Sequence, residues 1–350
     1  MPMNPNRTIE IWKYRYKKYT NVLVSTLRWL VTIITIKIQK IFNPQTQFIG
    51  VLLAEHFGDI VACEPLSEEI KKQYPNAKIY WIVRKPYREL LDYNSYIDTV
   101  IEEYSVFYSI LLAKFNAFDV FFNCHLSGLR RYPYLQKTLQ NPLAISKNIL
   151  TNNYFDHGNI LDVFAKVSGL PTVNTAPKIY IPPHVELSVN QLNLPERFVV
   201  IHCHSNYSPK DWQIYYWEKL VADLLSEFDY HVIEIGLRST LNIYHSQYHN
   251  YCGKLSLLQT AELIKRSKYF IGIDSGPAHF ANAVGTYGIL LFGKLGDFED
   301  YMPYSGTYQD KSNATLIVKK GYPCSELGYE EVWDVIKNEI SYEKKRVLWK

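Results

Sequence analysis

Residues 268–293 read KYFIGIDSGPAHFANAVGTYGILLFG, and this stretch decides the fold. Tyr269 to Ile273 is a short apolar run suited to a parallel strand. Asp274 and Ser275 are residue types favoured at a helix N-cap, Gly276 lets a ligand approach the backbone, and Pro277 suits a first helical turn. A buried strand thus delivers an acid, a tight turn and a helix start to one point. Unpaired amides and the positive end of the helix dipole make an anion the natural guest there. His279 falls in the first turn, within reach of that guest, and Tyr287 to Phe292 supplies the next strand, closed by Gly293. The same strand, turn and helix also occur as plain structure with no ligand.

Two other segments repeat the arrangement. Phe48 to Ala54 is an apolar strand, Glu55 to Gly58 a loop, and Asp59 opens a helix. Ile60, Cys63, Leu66, Ile70 and Tyr74 recur there at helical spacing, and Pro75 is the stop. By residue type alone, Asp59 serves equally well as a helix cap. Further on, Phe198 to Cys203 forms a strand, and a polar loop carrying Ser205, Asn206, Lys210, Asp211 and Trp212 leads to a helix. The buried stripe of that helix is Trp217, Leu220, Val221, Leu224 and Leu225. Lys210 is a compact charge on a flexible stem, suited to neutralising a diphosphate with short hydroxyl and amide donors beside it. A loop lysine is otherwise simply solvated.

The chain has 350 residues, 47% of them hydrophobic, which suits two cores. Strands and helices alternate, so the sheets are expected to be parallel. Strands are predicted at 48–54, 78–83, 97–101 and 118–123 in the first half, and at 198–203, 230–235, 269–273 and 287–292 in the second. The proline-bearing stretch from Pro171 to Pro183 reads as a linker. The division that follows is an arm over 1–46, a domain over 47–176, a second domain over 177–325 and a helical tail over 326–350. Five scattered cysteines, at 63, 124, 203, 252 and 324, read as reduced core residues. His202 and His204 share one face of a strand, but no partner at ligand spacing accompanies them, so no metal is expected. Asp297 and Asp300, in GDFEDYMP, read as surface loop.

The segment from Asp274 resembles the signature of glycosyltransferase family 9, the bacterial heptosyltransferase-like enzymes. The match runs through Asp274, Ser275, Gly276, His279, Ala281, Ala283 and Gly285, then Leu291, Phe292 and Gly293. FGDIVACEPLSEEIKKQYP, from Phe57, is similar to the family's N-terminal signature. Ser205 and Asn206, with Lys210, Asp211 and Trp212, take the place of its small polar pair and K-x-W. The resemblance covers roughly residues 48–305 and includes the helix NILDVFAKVSGL at 159–170. It implies the GT-B architecture, two doubly wound Rossmann-like domains facing a central cleft, the first binding acceptor and the second the nucleotide sugar. It implies an inverting, metal-independent glycosyltransferase with no cofactor, moving a heptose-like or other sugar from a nucleotide-diphosphate donor to a hydroxyl of a cell-envelope glycan or lipid-linked glycan. Asp59 inherits the role of general base. Ser205, Asn206, Lys210, Asp274, Ser275, Gly276 and His279 inherit contacts to the donor diphosphate. Gly58, His125, Arg130 and Arg131 are expected near the acceptor, where the family's loop is changed to NCHLSG followed by two arginines. Leu237, Arg238 and Ser239 stand where the family often offers an acid to the ribose. A sugar-nucleotide epimerase or hydrolase of the same architecture, and a non-catalytic nucleotide-sugar binding protein, are the alternatives.

The N-terminus lies outside that resemblance. Residues 1–47 hold eight basic side chains against the single acid Glu10, a local charge of +7 in a chain of net +4. From Val22 to Phe42 the pattern is helical, with a narrow polar stripe at Ser25, Arg28, Thr32, Thr35 and Gln39. A transmembrane span needs about 20 apolar residues, whereas Val22 to Ile36 is 15 residues with Arg28 inside. An in-plane amphipathic helix over residues 7–42 on an anionic membrane is therefore expected, with the enzyme cytoplasmic and peripheral on the inner face. A short signal anchor and a helix packed on the protein body are the alternatives. No nucleic-acid partner is expected.

Overall fold

Each apolar run predicted as a strand pairs with others of its kind, because a run buried on both faces is stable only inside a parallel sheet covered by helices. The computed structural model describes residues 5–348, with side chains from 9 to 341; residues 1–4 of the arm, the Arg7 side chain and residues 349–350 of the tail lie outside the described residues. Two compact units are formed.

The first unit comprises Met1–Glu55, Ser67–Thr151 and Phe164–Pro171. Strands β1 (Phe48–Leu52), β2 (Lys78–Arg84), β3 (Thr99–Glu103) and β4 (Val120–Asn123) form one sheet in the order β3-β2-β1-β4. All its pairings are parallel, and β1 is buried along its whole length. A small antiparallel hairpin follows, β5 (Arg131–Tyr132) and β6 (Lys137–Thr138). The helices in this first part of the chain are α1 (Pro5–Phe42), α2 (Phe57–Ala62), α3 (Pro65–Gln73), α4 (Val106–Lys114), α5 (Pro142–Ser146) and α6 (Ile160–Ser168), of which α2 and the first turn of α6 fall in the second unit.

Helix α1 lies along the first unit through its polar stripe, a result the apolar pattern of the arm does not suggest. Ser25 Oγ is 2.8 Å from Ser105 Oγ, Thr32 Oγ1 is 2.9 Å from the Tyr108 hydroxyl, and Trp29 Nε1 donates to the Phe115 carbonyl at 2.8 Å. The Tyr80 hydroxyl donates to Gln39, and Lys40 pairs with Asp119 at 2.5 Å. Ile36 joins the core with Phe48, Leu52, Tyr80 and Tyr108.

The helix expected to open at Asp59 differs in detail. It starts at Phe57, with His56 as N-cap and Asp59 in its third position, and breaks before α3. Pro65 has no N–H to continue the ladder, so the chain turns through Cys63 and Glu64 instead.

The second unit comprises His56–Leu66, Asn152–Val163 and Thr172–Lys350. Two short segments that precede the linker, one of them α2, therefore pack with the later part of the chain. Helix α7 (Pro183–Asn190) leads to β7 (Phe198–His202), α8 (Ile214–Glu227), β8 (His231–Glu234), β9 (Tyr248–Asn250), α9 (Leu257–Arg266), β10 (Tyr269–Ile273), α10 (Gly276–Val284), β11 (Gly288–Phe292), β12 (Ala314–Val318) and α11 (Tyr329–Leu348). The six strands are parallel in the order β12-β11-β10-β7-β8-β9. The order in which strands are added to the sheet reverses between β7 and β10, and ligands of doubly wound sheets bind outside the carboxyl ends of the strands at such a reversal. Helix α11 is no loose tail, since Val332, Trp333, Ile336 and Ile340 are buried in the core with Trp217 and Leu220. The linker is tied to the second unit, where Glu64 accepts from the Lys178 amide at 2.9 Å and the Tyr180 hydroxyl at 3.0 Å.

Candidate active site

The carboxyl ends of β7 and β10 meet at the reversal, and the side chains there are bonded to one another. Ser275 Oγ sits 2.9 Å from His202 Nδ1. Ser275 is the N-cap of α10 by backbone, but its hydroxyl turns to His202 and the Ile273 carbonyl instead of capping. Beside it, Asp274 is buried and binds three partners. Lys210 Nζ donates to Oδ2 at 2.5 Å, the Tyr301 hydroxyl to Oδ2 at 2.8 Å and the Tyr304 hydroxyl to Oδ1 at 3.1 Å. Burial alone would raise the Asp274 pKa, but the Lys210 charge and the hydrogen bonds to Asp274 hold it below the ordinary carboxylate value. The acid of the DSG turn is thus ionised, and it fixes the lysine that comes from the other strand's loop.

Tyr301 and Tyr304 were not expected at this site. They follow the exposed GDFED loop, and nothing in their spacing distinguishes them from loop residues; only the buried carboxylate beneath explains them. Asp297 and Asp300 are at the surface as expected, Asp300 pairing with Lys320 at 3.5 Å.

Helix α2 brings Asp59 to the same helix start. A Cβ on Gly58 would lie 3.0 Å from the His279 ring and 3.2 Å from Gly276 Cα. A Cβ on Gly276 would fall 2.1 Å from the Phe57 ring, which packs on Phe280 at a centroid distance of 5.0 Å. Two glycines therefore let the Asp59 helix settle directly on the first turn of α10. The His56 amide donates to Asp59 Oδ2 at 3.1 Å, so the carboxylate closes its own helix start. Tyr154 joins from the segment before α6. Burial raises its hydroxyl pKa, and the negative charges of Asp59 and Asp274 raise it further.

His279 is buried in the first turn of α10, and its Nδ1 has no hydrogen-bond partner among the described residues. Burial lowers its pKa to about 4, against the opposing pull of Asp274 and with help from Lys210. The ring is neutral at pH 7, and one polar atom is left over. His202 is also held near 4, by burial and then by His204.

In the loop after β7, Asp211 organises the expected donor contacts. It accepts from the Ser205 amide at 2.8 Å and the Ser205 hydroxyl at 2.7 Å, and its other oxygen is 2.7 Å from His204 Nδ1. Asn206 is exposed at the tip. His202 and His204 bond different partners, and among the described residues no group of three or more His, Cys, Asp or Glu could hold a metal ion. All five cysteines are free thiols.

The residues expected near an acceptor are in different situations. His125 is fully buried: Nε2 accepts from the Ala54 amide at 3.1 Å and Nδ1 is 2.6 Å from Glu55 Oε1. Both ring nitrogens are thus engaged in joining the loops after β1 and β4. Arg130 is buried in a two-pronged pair with Glu103, both contacts at 2.6 Å. Arg131 is exposed and donates to Gln136. The partners Glu55 and Glu103 went unread in the sequence because they lie 70 and 27 residues from the groups they bind.

Two units built on parallel sheets, the second carrying a lysine held by a buried carboxylate beside a helix start at its switch point, are the architecture of the GT-B fold. Residues 158–325 match the family model described as glycosyltransferase family 9 (heptosyltransferase), and the chain is a glycosyltransferase carrying that family's domain. Among solved structures, the family 9 glycosyl transferase of Veillonella parvula is similar over 83% of this chain and 96% of its own, at 17% identity and a TM-score of 0.63. The E. coli ADP-heptose lps heptosyltransferase II is similar over 85% and 99%, at 19% identity and 0.60. The E. coli heptosyltransferase WaaC, with ADP-2-deoxy-2-fluoro heptose, is similar over 83% and 99%, at 14% identity and 0.54. At these identities the likeness shows the fold. No curated protein matches the sequence.

Proposed function

We propose that this enzyme moves a heptose-like sugar from a nucleoside-diphosphate donor to a hydroxyl of a bacterial cell-envelope glycan or glycolipid, with inversion and without a metal ion. The observation that carries the reading is the seating of the Asp59 helix on the α10 start through Gly58 and Gly276, beside the Lys210–Asp274 pair. One carboxylate and one cationic, donor-rich helix start is the equipment of a single displacement.

Asp59 takes the proton of the acceptor hydroxyl as its oxygen attacks the anomeric carbon, and the bond from that carbon to the diphosphate breaks on the opposite side. The departing charge is met by Lys210, by the Ser275 and Gly276 amides at the positive end of α10, and by the neutral His279 ring. Ser205 and Asn206 line the same loop. Asp274, tied by two tyrosines, sets where Lys210 stands. For the acceptor, Gly58 is assigned close approach and Arg131 an exposed cation suited to an acidic glycan, while His125 and Arg130 hold the shape of their own loops.

The experiment is a donor screen by thermal stabilisation, beginning with ADP-heptose, followed by transfer to envelope glycans and determination of the product's anomeric configuration. A donor at 100 times its dissociation constant adds about 2.7 kcal/mol. Inverted product formed in the presence of a chelator supports the reading. Retained configuration, or activity lost to chelation and restored by a divalent ion, contradicts it. Free sugar or epimer released without acceptor replaces it with hydrolysis or epimerisation.

A further inference from the structure

Helix α1 is amphipathic in the inverted sense. Its polar stripe is the side that docks: Asn21 accepts from the Tyr132 hydroxyl at 2.6 Å, and Ser25, Trp29, Thr32, Gln39 and Lys40 continue the contacts to the end of the helix. The opposite side is apolar and uncovered. Tyr16, Leu23, Leu27, Ile34, Ile38 and Ile41 are each between 48% and 74% exposed. At 3.6 residues per turn they fall within an arc of roughly 60°, so they form one straight seam. A helix that needs only water outside it would present the reverse pattern.

The chemistry around the seam specifies what covers it. Lys13, Arg15 and Lys17 are exposed beside its first half and Lys37 beside its second, while Glu10 is the only acid in the helix. Trp12, Tyr16 and Tyr19 are exposed at the basic end, and aromatic rings with cationic neighbours are typical of the headgroup layer. The docked contacts also fix orientation. From Asn21 to Lys40 the helix runs about 29 Å, close to the thickness of a bilayer's hydrocarbon core, about 30 Å, and over that length one side is bonded to a folded unit. A spanning helix would have to break every one of those bonds.

We propose that the seam from Tyr16 to Ile41 lies flat in the surface of an anionic phospholipid bilayer, with the polar stripe still bonded to the first unit. The seam enters the headgroup region, the basic side chains meet lipid phosphates at its edges, and the folded unit stands on the aqueous side. This does not depend on which reaction the enzyme catalyses.

The test uses the full chain with vesicles of phosphatidylglycerol and phosphatidylcholine. Co-sedimentation with the anionic vesicles is expected, weakened by salt and much weaker with the neutral ones. The double variant Leu27→Glu/Ile34→Glu, on exposed positions, is expected to bind at least about 100-fold more weakly with an unchanged melting temperature. Thr32→Ala, on the docked side, is expected to keep vesicle binding. Vesicle binding by the double variant equal to that of the parent overturns the proposal. So does a parent dimer that the double variant dissociates while neither form binds vesicles, since the seam would then be covered by a second copy. An N-terminal tag protected from protease inside sealed vesicles overturns the flat orientation.

Discussion

Lys210 Nζ lies 2.5 Å from Asp274 Oδ2, although the two residues come from the ends of different strands. The lysine is about one-fifth exposed and the carboxylate almost fully buried, so the pair has an open side at the lysine. A buried carboxylate with two tyrosine donors sets the position of a cation that can turn toward a ligand.

Asp274→Asn is expected to cost about 3 kcal/mol of stability, the low end for removing one partner of a buried pair. Lys210→Met alone leaves Asp274 uncompensated and is expected to cost a similar amount. The double variant is expected to cost clearly less than both together, because neither charge is then stranded. Denaturant unfolding of the three variants measures this, and additive losses would show that the two side chains do not interact.

Lys210→Ala is expected to weaken binding of a nucleoside diphosphate by roughly 1.5 to 3 kcal/mol, the range for hydrogen bonds to charged groups. The bare nucleoside lacks the charge and should be nearly unaffected. Calorimetric titration of both ligands decides it; equal losses would place Lys210 away from the phosphates.

Gly276→Ala puts a Cβ within 2.1 Å of the Phe57 ring. Phe57 is two residues before Asp59, so relief of the clash moves the α2 start. A loss of about 1 to 3 kcal/mol in stability is expected, as for overpacking elsewhere, together with a fall in transfer rate larger than the fall in donor affinity. A variant with parental stability and rate would mean that the α2–α10 seating is not close.

The two buried histidines make stability depend on pH. His279 and His202 hold pKa values of about 4 in the folded chain, against an ordinary 6.5. Between pH 6.5 and 4 the unfolded chain binds more protons, so stability is complete above that window and falls as pH drops through it. The loss is on the order of 3 kcal/mol for each ring. Asp274, held below its ordinary 3.8, contributes its own loss only in more acid solution. His279→Gln should flatten the pH 4 to 6.5 part of a melting-temperature profile; an unchanged slope would show that His279 takes its proton as readily folded as unfolded.

The predicted strands were legible mainly because most carry an apolar run, continuous in Phe48–Leu52 and Tyr269–Ile273 and reduced to Val100 and Ile101 in Thr99–Glu103. Tyr248–Asn250 was not, since it is three polar or aromatic residues that become a strand only by lying beside β8. Ala314–Val318, though apolar, is a partly exposed edge strand that was not singled out. At the site, Lys210, Asp274 and His279 could be named because each sits at a fixed offset from a strand end. Tyr301, Tyr304 and Tyr154 could not, because tertiary packing alone brings them in. His125 and Arg130 looked like acceptor ligands for the converse reason: a polar loop residue reads as exposed until its distant carboxylate is known. The arm shows the same limit, since a polar stripe on an apolar helix does not say which side faces the protein.

The central claim is that Asp59 is the base, and Asp59→Asn with a saturating donor and acceptor tests it most directly. Asparagine keeps an oxygen for the His56 amide, so the helix start and donor affinity should persist. The transfer rate should fall by about 100-fold to 10,000-fold, the usual cost of losing a general base. A rate within a few-fold of the parent, with donor binding intact, would make Asp59 a helix cap and contradict the account.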